Sequence, residues 1–242
     1  MARTIEKLLP SVAFVAVLFM AAVALADVTI TMENEMTTPA GAQTTTLVQY
    51  YTATKMRNEF GKASAMIIDL DEAKMVTLMP AAKMYLVQTF EQLKAQAALT
   101  KLPEPEVKVE ETDETAEISG YACHKVVVRI KQGGSESATE YWVAKDVKGI
   151  ADVQAFLKAM FEALKDIPQQ RATMEVGNQF AEKGFFPIRT VVKQPGPGGE
   201  ITSTVTVTKI EEGDLDEKLF EVPEDYTEMP MGGAASATGG EE

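Results

Sequence analysis

Cys123 and His124 stand side by side, and they are the only cysteine and the only histidine in 242 residues. The pair is the first place to look for metal or thiol chemistry. The run Gly120–Lys131 (GYACHKVVVRIK) reads as a β-strand. Neighbours on a strand point to opposite faces, so these two cannot hold one ion without a bulge. We read a packed thiol, with Ala122 and Val126 beside it, and an ordinary polar His. A single Cys excludes an internal disulfide framework, a Cys-rich zinc site, a haem-attachment motif and an iron–sulfur centre within one chain. In an oxidising compartment it has only another molecule to pair with, and burial protects it.

Methionine offers a second chemistry. Seven Met fall between Met32 and Met84, and Met32/Met36 and Met75/Met79 share faces if their segments are strands. Thioethers are soft ligands for Cu(I). No His stands near them at short spacing, however, and Met is also a flexible apolar filler for surfaces that accept variable ligands. Core or cavity lining is the reading we adopt, with no metal site. Asp69-x-Asp71-Glu72 offers carboxylates for a hard cation. A calcium loop needs more oxygens and a glycine at its tight turn, and a polar hairpin turn explains the run. The chain has no GxSxG, P-loop or HExxH, and one His leaves little room for a triad. We therefore expect no enzyme and no cofactor. The net charge of −13 with no basic cluster excludes nucleic acid as a partner.

The elements that position these residues begin after an address. Arg3 and Lys7 precede fifteen consecutive apolar residues, Val12–Ala26, ending Ala24-Leu25-Ala26. A charged start, a short apolar core and an Ala-x-Ala end form a secretory signal peptide over residues 1–26. The run is short of the ~20 residues a bilayer span needs. Asp27 rather than Cys follows the cut, so no lipoprotein anchor is expected. No later stretch is apolar enough to cross a membrane. The working molecule is expected to be acidic, soluble, and periplasmic or secreted.

Val28–Met36 alternates strictly, with Val28, Ile30, Met32, Asn34 and Met36 on one face and Thr29, Thr31, Glu33 and Glu35 on the other. That period reads as a half-buried strand. Thr44–Thr54 and Lys55–Phe60 continue the pairing. Ala65–Leu70 and Met75–Met79 form a hairpin, and Met84–Gln88 follows as a further strand. Thr89–Leu99 reads as a short helix, and Thr100–Glu106 as a proline-broken linker. Gly120–Lys131 and Glu136–Ala144 pair through a Gly-Gly turn. Gly149–Ile167 is an amphipathic helix, with Ile150, Val153, Phe156, Leu157, Met160, Phe161 and Leu164 recurring at three and four. Gly184–Gln194 and Glu200–Glu211 form a long hairpin. About nine strands and two helices, dominated by hairpins, read as one α+β domain over residues 27–226. A disordered acidic tail is expected over 227–242.

Several segments carry a resemblance in their order. They are Met56-Arg57-Asn58-Glu59-Phe60, the hairpin Ile67-Ile68-Asp69-Leu70 to Met75-Val76-Thr77-Leu78, and Lys83-Met84-Tyr85. Gly120–Lys125, Glu140–Ala144, Gly184–Arg189 and Leu219–Tyr226 complete the set. This order resembles the bacterial DUF4412 family, whose architecture is similar to the periplasmic lipoprotein carrier LolA. The resemblance implies a curved antiparallel sheet, a half-open barrel whose concave face is covered by helices. In LolA that concavity shields acyl chains. No residue role carries over.

Combining the patterns, we expect a binding protein for an apolar ligand, a lipid or acyl chain. The lining would be Met32, Met36, Met66 and Ile68 on the sheet and Phe156, Leu157, Met160, Phe161 and Leu164 on the helix, with Gly149 and Pro168 flanking the helix as hinge points. The alternative is a non-catalytic envelope scaffold, a partner for another envelope protein, whose concavity is only its core. Export is checked by amino-terminal sequencing of the product from a Gram-negative periplasm. Asp27 is expected as the first residue, and a membrane-bound product retaining Met1 or Ala2 would contradict the reading.

Overall fold

The computed structural model describes residues 27–99, 103–196 and 198–230. The signal peptide expected over 1–26, residues 100–102 of the expected linker, Pro197 and residues 231–242 of the expected tail lie outside the described residues. Twelve strands are described: β1 Val28–Thr38, β2 Gly41–Tyr51, β3 Lys55–Phe60, β4 Ser64–Asp69, β5 Lys74–Met79, β6 Met84–Thr89, β7 Glu106–Ile118, β8 Tyr121–Gln132, β9 Ser135–Ala144, β10 Phe186–Gly196, β11 Gly199–Glu212 and β12 Thr227–Glu228. Three α-helices accompany them: α1 Phe90–Ala98, α2 Ala151–Leu164 and α3 Arg171–Lys183.

The strands join in one curved, unclosed sheet in the order β12-β6-β5-β4-β3-β2-β1-β11-β10-β9-β8-β7. The expected α+β class and open curved sheet are what the structure has, with one refinement. All ladders are antiparallel except the two-residue pairing of β12 with β6, which is parallel. Curvature has local causes. The ladders slip between Thr31 and Met32, between Pro187 and Arg189, and between Glu111 and Thr115. Such bulges bend and twist a strand. Val207 and the residues after it on β11 have no partner on β10. The tip of the β7–β8 hairpin folds into that space, where Ser119 Oγ donates to the Val207 carbonyl at 2.6 Å.

Three apolar clusters hold the layers together. The largest joins Val28, Ile30, Met32, Tyr51, Met56 and Ile68 of the sheet to Val153, Phe156 and Leu164 of α2 and Phe90 and Ala97 of α1. The second seats Val176 and Phe180 of α3 on Val126, Val128 and Val143. The third packs Phe220, Val222 and Tyr226 over Ala65, Ile67, Val76 and Leu78. Helix α1 starts from a reciprocal cap, in which the Gln92 amide donates to Thr89 Oγ1 and the Thr89 amide to Gln92 Oε1. Helix α2 has no side-chain cap, so its apolar face fixes its place.

The sequence reading omits α3. That helix buries only Val176 and Phe180 in thirteen residues and has a central Gly177, which lowers its intrinsic helix preference. The glycine has a packing reason: a Cβ there would lie 2.7 Å from Phe161 Cε2. The sequence reading also assigns no strand to β7, because its acids mask the alternation of Val107 and Val109. The first residues of the expected tail are ordered. Thr227 and Met229 donate to the Lys83 and Tyr85 carbonyls at 2.9 and 2.7 Å, and pairing to the β6 edge orders residues whose own composition carries no strand signal. Phe156 is fully buried, so Phe156→Ala should cost about 3–5 kcal/mol in urea unfolding. Ala155→Ser, on the exposed side of α2, should stay within about 0.5 kcal/mol.

Candidate functional site

Ladder register sorts the side chains of the sheet into two faces. One rung runs Gln88–Met75–Ile68–Met56–Tyr51–Val28 from β6 to β1. A parallel rung runs Gln43–Met36–Ser203–Val192–Thr139–Val128–Val109 from β2 to β7. Val28 and Met36 are an even number of residues apart on β1, so both rungs lie on one face. Both α2 and α3 pack on it, and it is the concave side. On β1 to β6, β9 and β10 not one rung position of this face carries a charge. The charges sit on the other face. There Glu33, Glu35, Lys55, Arg57, Glu59, Asp69, Lys74, Arg189 and Lys193 alternate with threonines. Several are paired, as Arg57 Nε with Glu59 at 2.8 Å and Lys55 with Asp69 at 3.5 Å.

The helices cover only part of the uncharged face. Val28, Ile30 and Ile68 are closed beneath α2, and Val128 and Val143 beneath α3. Toward the outer ends of the strands the face is open. Met36 is 42% exposed, Phe60 39% and Val192 36%. Leu47, the rung partner of Phe60, and Val205 are half-buried next to them.

The nine lining residues expected from sequence divide accordingly. Met32, Ile68, Phe156 and Leu164 are buried in the central cluster, with Met66, Leu157 and Met160 packed at its margin. Met36 stands apart on the open stretch. Phe161 turns to α3, with its ring over Gly177. Phe60 and Val192 were missed. The alternation Met56, Asn58, Phe60 was the available signal for the first, and pairing across the long hairpin, invisible in one strand alone, was needed for the second.

Two pairs of polar groups on the uncharged face are engaged with each other. Tyr51 donates to Gln49 Oε1 at 3.0 Å, and burial pushes its hydroxyl pKa well above the usual phenol range. Ser203 Oγ donates to Asn34 Oδ1 at 2.8 Å. Asn58 is not engaged. Its Oδ1 is buried and has no hydrogen-bond partner among the described residues. An orphaned buried acceptor costs about 1–3 kcal/mol. Asn58 lies on the rung Gln49–Asn58–Met66, at the seam between the covered and open parts of the face.

The sequence profile for DUF4412, a domain of unknown function, matches residues 29–226. The chain belongs to the DUF4412 family. No curated protein matches the sequence. Among solved structures the chain is similar to PNGF-II at 14% identity and a TM-score of 0.40, covering 84% of this chain and 31% of that one. It thus spans about a third of the length of PNGF-II. It is also similar to a LolA superfamily protein from Nitrosomonas europaea, at 8% identity and a TM-score of 0.34, covering 81% of this chain and 90% of the other. A DUF1329 family protein from Desulfovibrio piger gives 10% identity and a TM-score of 0.32 over 81% and 90% of the two chains.

Elsewhere in this DUF4412 chain the candidate reactive groups are committed to structure. Cys123 is buried with its Sγ 3.4 Å from the Tyr121 carbonyl. His124, on the helix-covered face of β8, meets the Phe185 ring edge-on at 4.7 Å, and its Nε2, 3.7 Å from Glu111, is buried without a hydrogen-bond partner among the described residues. Asp69 Oδ1 accepts from the Glu72 amide at 2.9 Å, and Asp71 Oδ2 from Thr54 Oγ1 at 2.7 Å, so these acids build the turn. Among the described residues no three His, Cys, Asp or Glu side chains gather as a metal site, and no helix is long and apolar enough to cross a membrane. Burial raises the Cys123 thiol pKa, and the thiolate is the reactive form. Ellman's reagent at pH 8 should therefore modify Cys123 far more slowly in the native protein than in urea, and equal rates would contradict its placement.

Proposed function

We propose that this protein is an exported, non-catalytic binding protein of the periplasm or outside the cell that shields an apolar ligand, a lipid or acyl chain, on the concave face of its sheet. The observation that supports this is the open part of that face, where Met36, Phe60 and Val192 remain in water although no charge accompanies them. A wide sheet face normally interposes polar side chains where it meets solvent. Here the polar residues beside Met36 and Val192, namely Gln43, Ser203 and Thr139, are all uncharged, and large apolar side chains left open on a concave surface support a binding site. Burying them is worth about 25 cal/mol per Å², which holds a chain without directional contacts. Met32, Met36 and Met66 let the lining adjust to chains of different shape. In this reading Phe156, Leu157, Met160 and Leu164 form the wall that α2 presents, and Phe161 braces that wall against α3.

The scaffold reading keeps one observation in its favour: the space directly under α2 is filled, with Phe156 and Val153 fully buried. Release of α2 about Gly149, which has a positive φ of 74°, and Pro168 would enlarge the site without being required for it. Fluorescence titration with Nile red separates the readings. Wild type should bind the dye, and Met36→Asp and Val192→Asp should each weaken it about tenfold, the effect of about 1.4 kcal/mol. Both positions are exposed enough for the fold to tolerate the change. A wild-type protein that binds no apolar probe would leave the scaffold reading standing.

A further inference from the structure

We infer that the ligand is a neutral amphiphile with a hydrogen-bond donor, a hydroxyl or amide N–H, at the root of its apolar chain, and that Asn58 receives that donor. This rests on the reading of the concave face as an apolar-ligand site. Two independent observations lead to it. The first is the missing charge. A head group carrying a carboxylate or an ammonium would be desolvated on strands β1 to β6, β9 and β10 with no counter-ion on the face. The second is the orphaned Asn58 Oδ1. His124 Nε2 is likewise without a partner but lies across the sheet on β8, and the nearby Gln49, Asn34 and Ser203 are engaged, so Asn58 is the unpartnered buried acceptor beside Phe60 on β3.

Its place suits a head-group contact. Asn58 lies two residues from the exposed Phe60 on the same face of β3 and pairs with Met66 of β4. From there the open stretch crosses β2, β1 and β11 to Val192 on β10. Asn58 is level with Ile30 on β1, so two strand spacings of about 4.8 Å and six residues of about 3.3 Å along the strand put Met36 roughly 22 Å away, the reach of a long extended acyl chain, with Val192 beyond it. A donor at Asn58 therefore leaves the chain to run diagonally over Phe60 and Leu47 toward Met36.

Three probes with one oleoyl chain test the inference by displacement of Nile red: monoolein, which is neutral with hydroxyl donors; methyl oleate, which is neutral without a donor; and oleate, which is anionic at pH 8. Monoolein should bind at least about tenfold more tightly than either of the others. Asn58→Leu should reduce monoolein to the affinity of methyl oleate, leave methyl oleate unchanged, and raise the melting temperature by removing the orphaned acceptor. Equal binding of the three probes, tighter binding of oleate, or an unchanged preference in Asn58→Leu overturns the inference while the acyl-site reading stands. Failure of all three to bind overturns both. If Asn58→Leu does not fold, the order of the probes on wild type decides alone.

Discussion

The pleat of the sheet is the constraint on which the rest depends. Side chains alternate with a period of two, so a run of twelve paired strands can send every charge to one face only if the register holds across each ladder. Here it holds without a slip across the five ladders from β6 to β1. Slipping β1 by one residue against β2 would bring Glu33 and Glu35 into the cluster where Met32 sits and move Val28 and Ile30 into water. The cost of burying those carboxylates fixes the register more firmly than backbone hydrogen bonds, which any slip could remake.

From that separation follow the covers. The uncharged face must be roofed wherever it is to form core, and α2 and α3 roof the two flanks of the sheet, joined where Phe161 lies over Gly177. The charged face needs a roof only where it too turns apolar, at Ile67, Val76 and Leu78, and residues 217–228 supply it. Arg57 Nη1 donates to the Leu219 carbonyl at 2.9 Å and Lys83 pairs with Asp225 at 2.7 Å, tying that segment down. The free edge at β7 carries Glu106, Glu110, Asp113 and Glu114, and charge on an edge opposes pairing with another chain. Among the described residues the outer part of the concave face, with Met36, Phe60 and Val192, is uncharged and left without a roof.

Much of this was legible in the residues. The alternation from Val28 to Met36 assigned a face to each side chain of β1, and the three-four spacing from Val153 to Leu164 assigned the buried stripe of α2. The hairpin around Asp69 to Lys74 was marked by its polar turn. What escaped has physical reasons. Helix α3 depends on tertiary seating of Val176 and Phe180 rather than on its own preference. Strand β12 exists only because β6 offers an edge. Phe161 read as one more residue of the α2 stripe because spacing cannot tell which neighbour a helix flank meets. The open stretch was invisible because Met36, Phe60 and Val192 come from three hairpins far apart in sequence, and only cross-strand register puts them together. Asn58 stood in plain view, but the lack of a partner is a property of packing.

Native mass spectrometry of protein purified gently from its producing cells tests the central claim most directly, because it asks what occupies the concave face without choosing a ligand beforehand. The account predicts a population heavier than the bare chain by the mass of a neutral lipid, which collisional activation releases and which Met36→Asp lacks. A wild-type protein found only at its bare mass, or an adduct equally present in Met36→Asp, would contradict it.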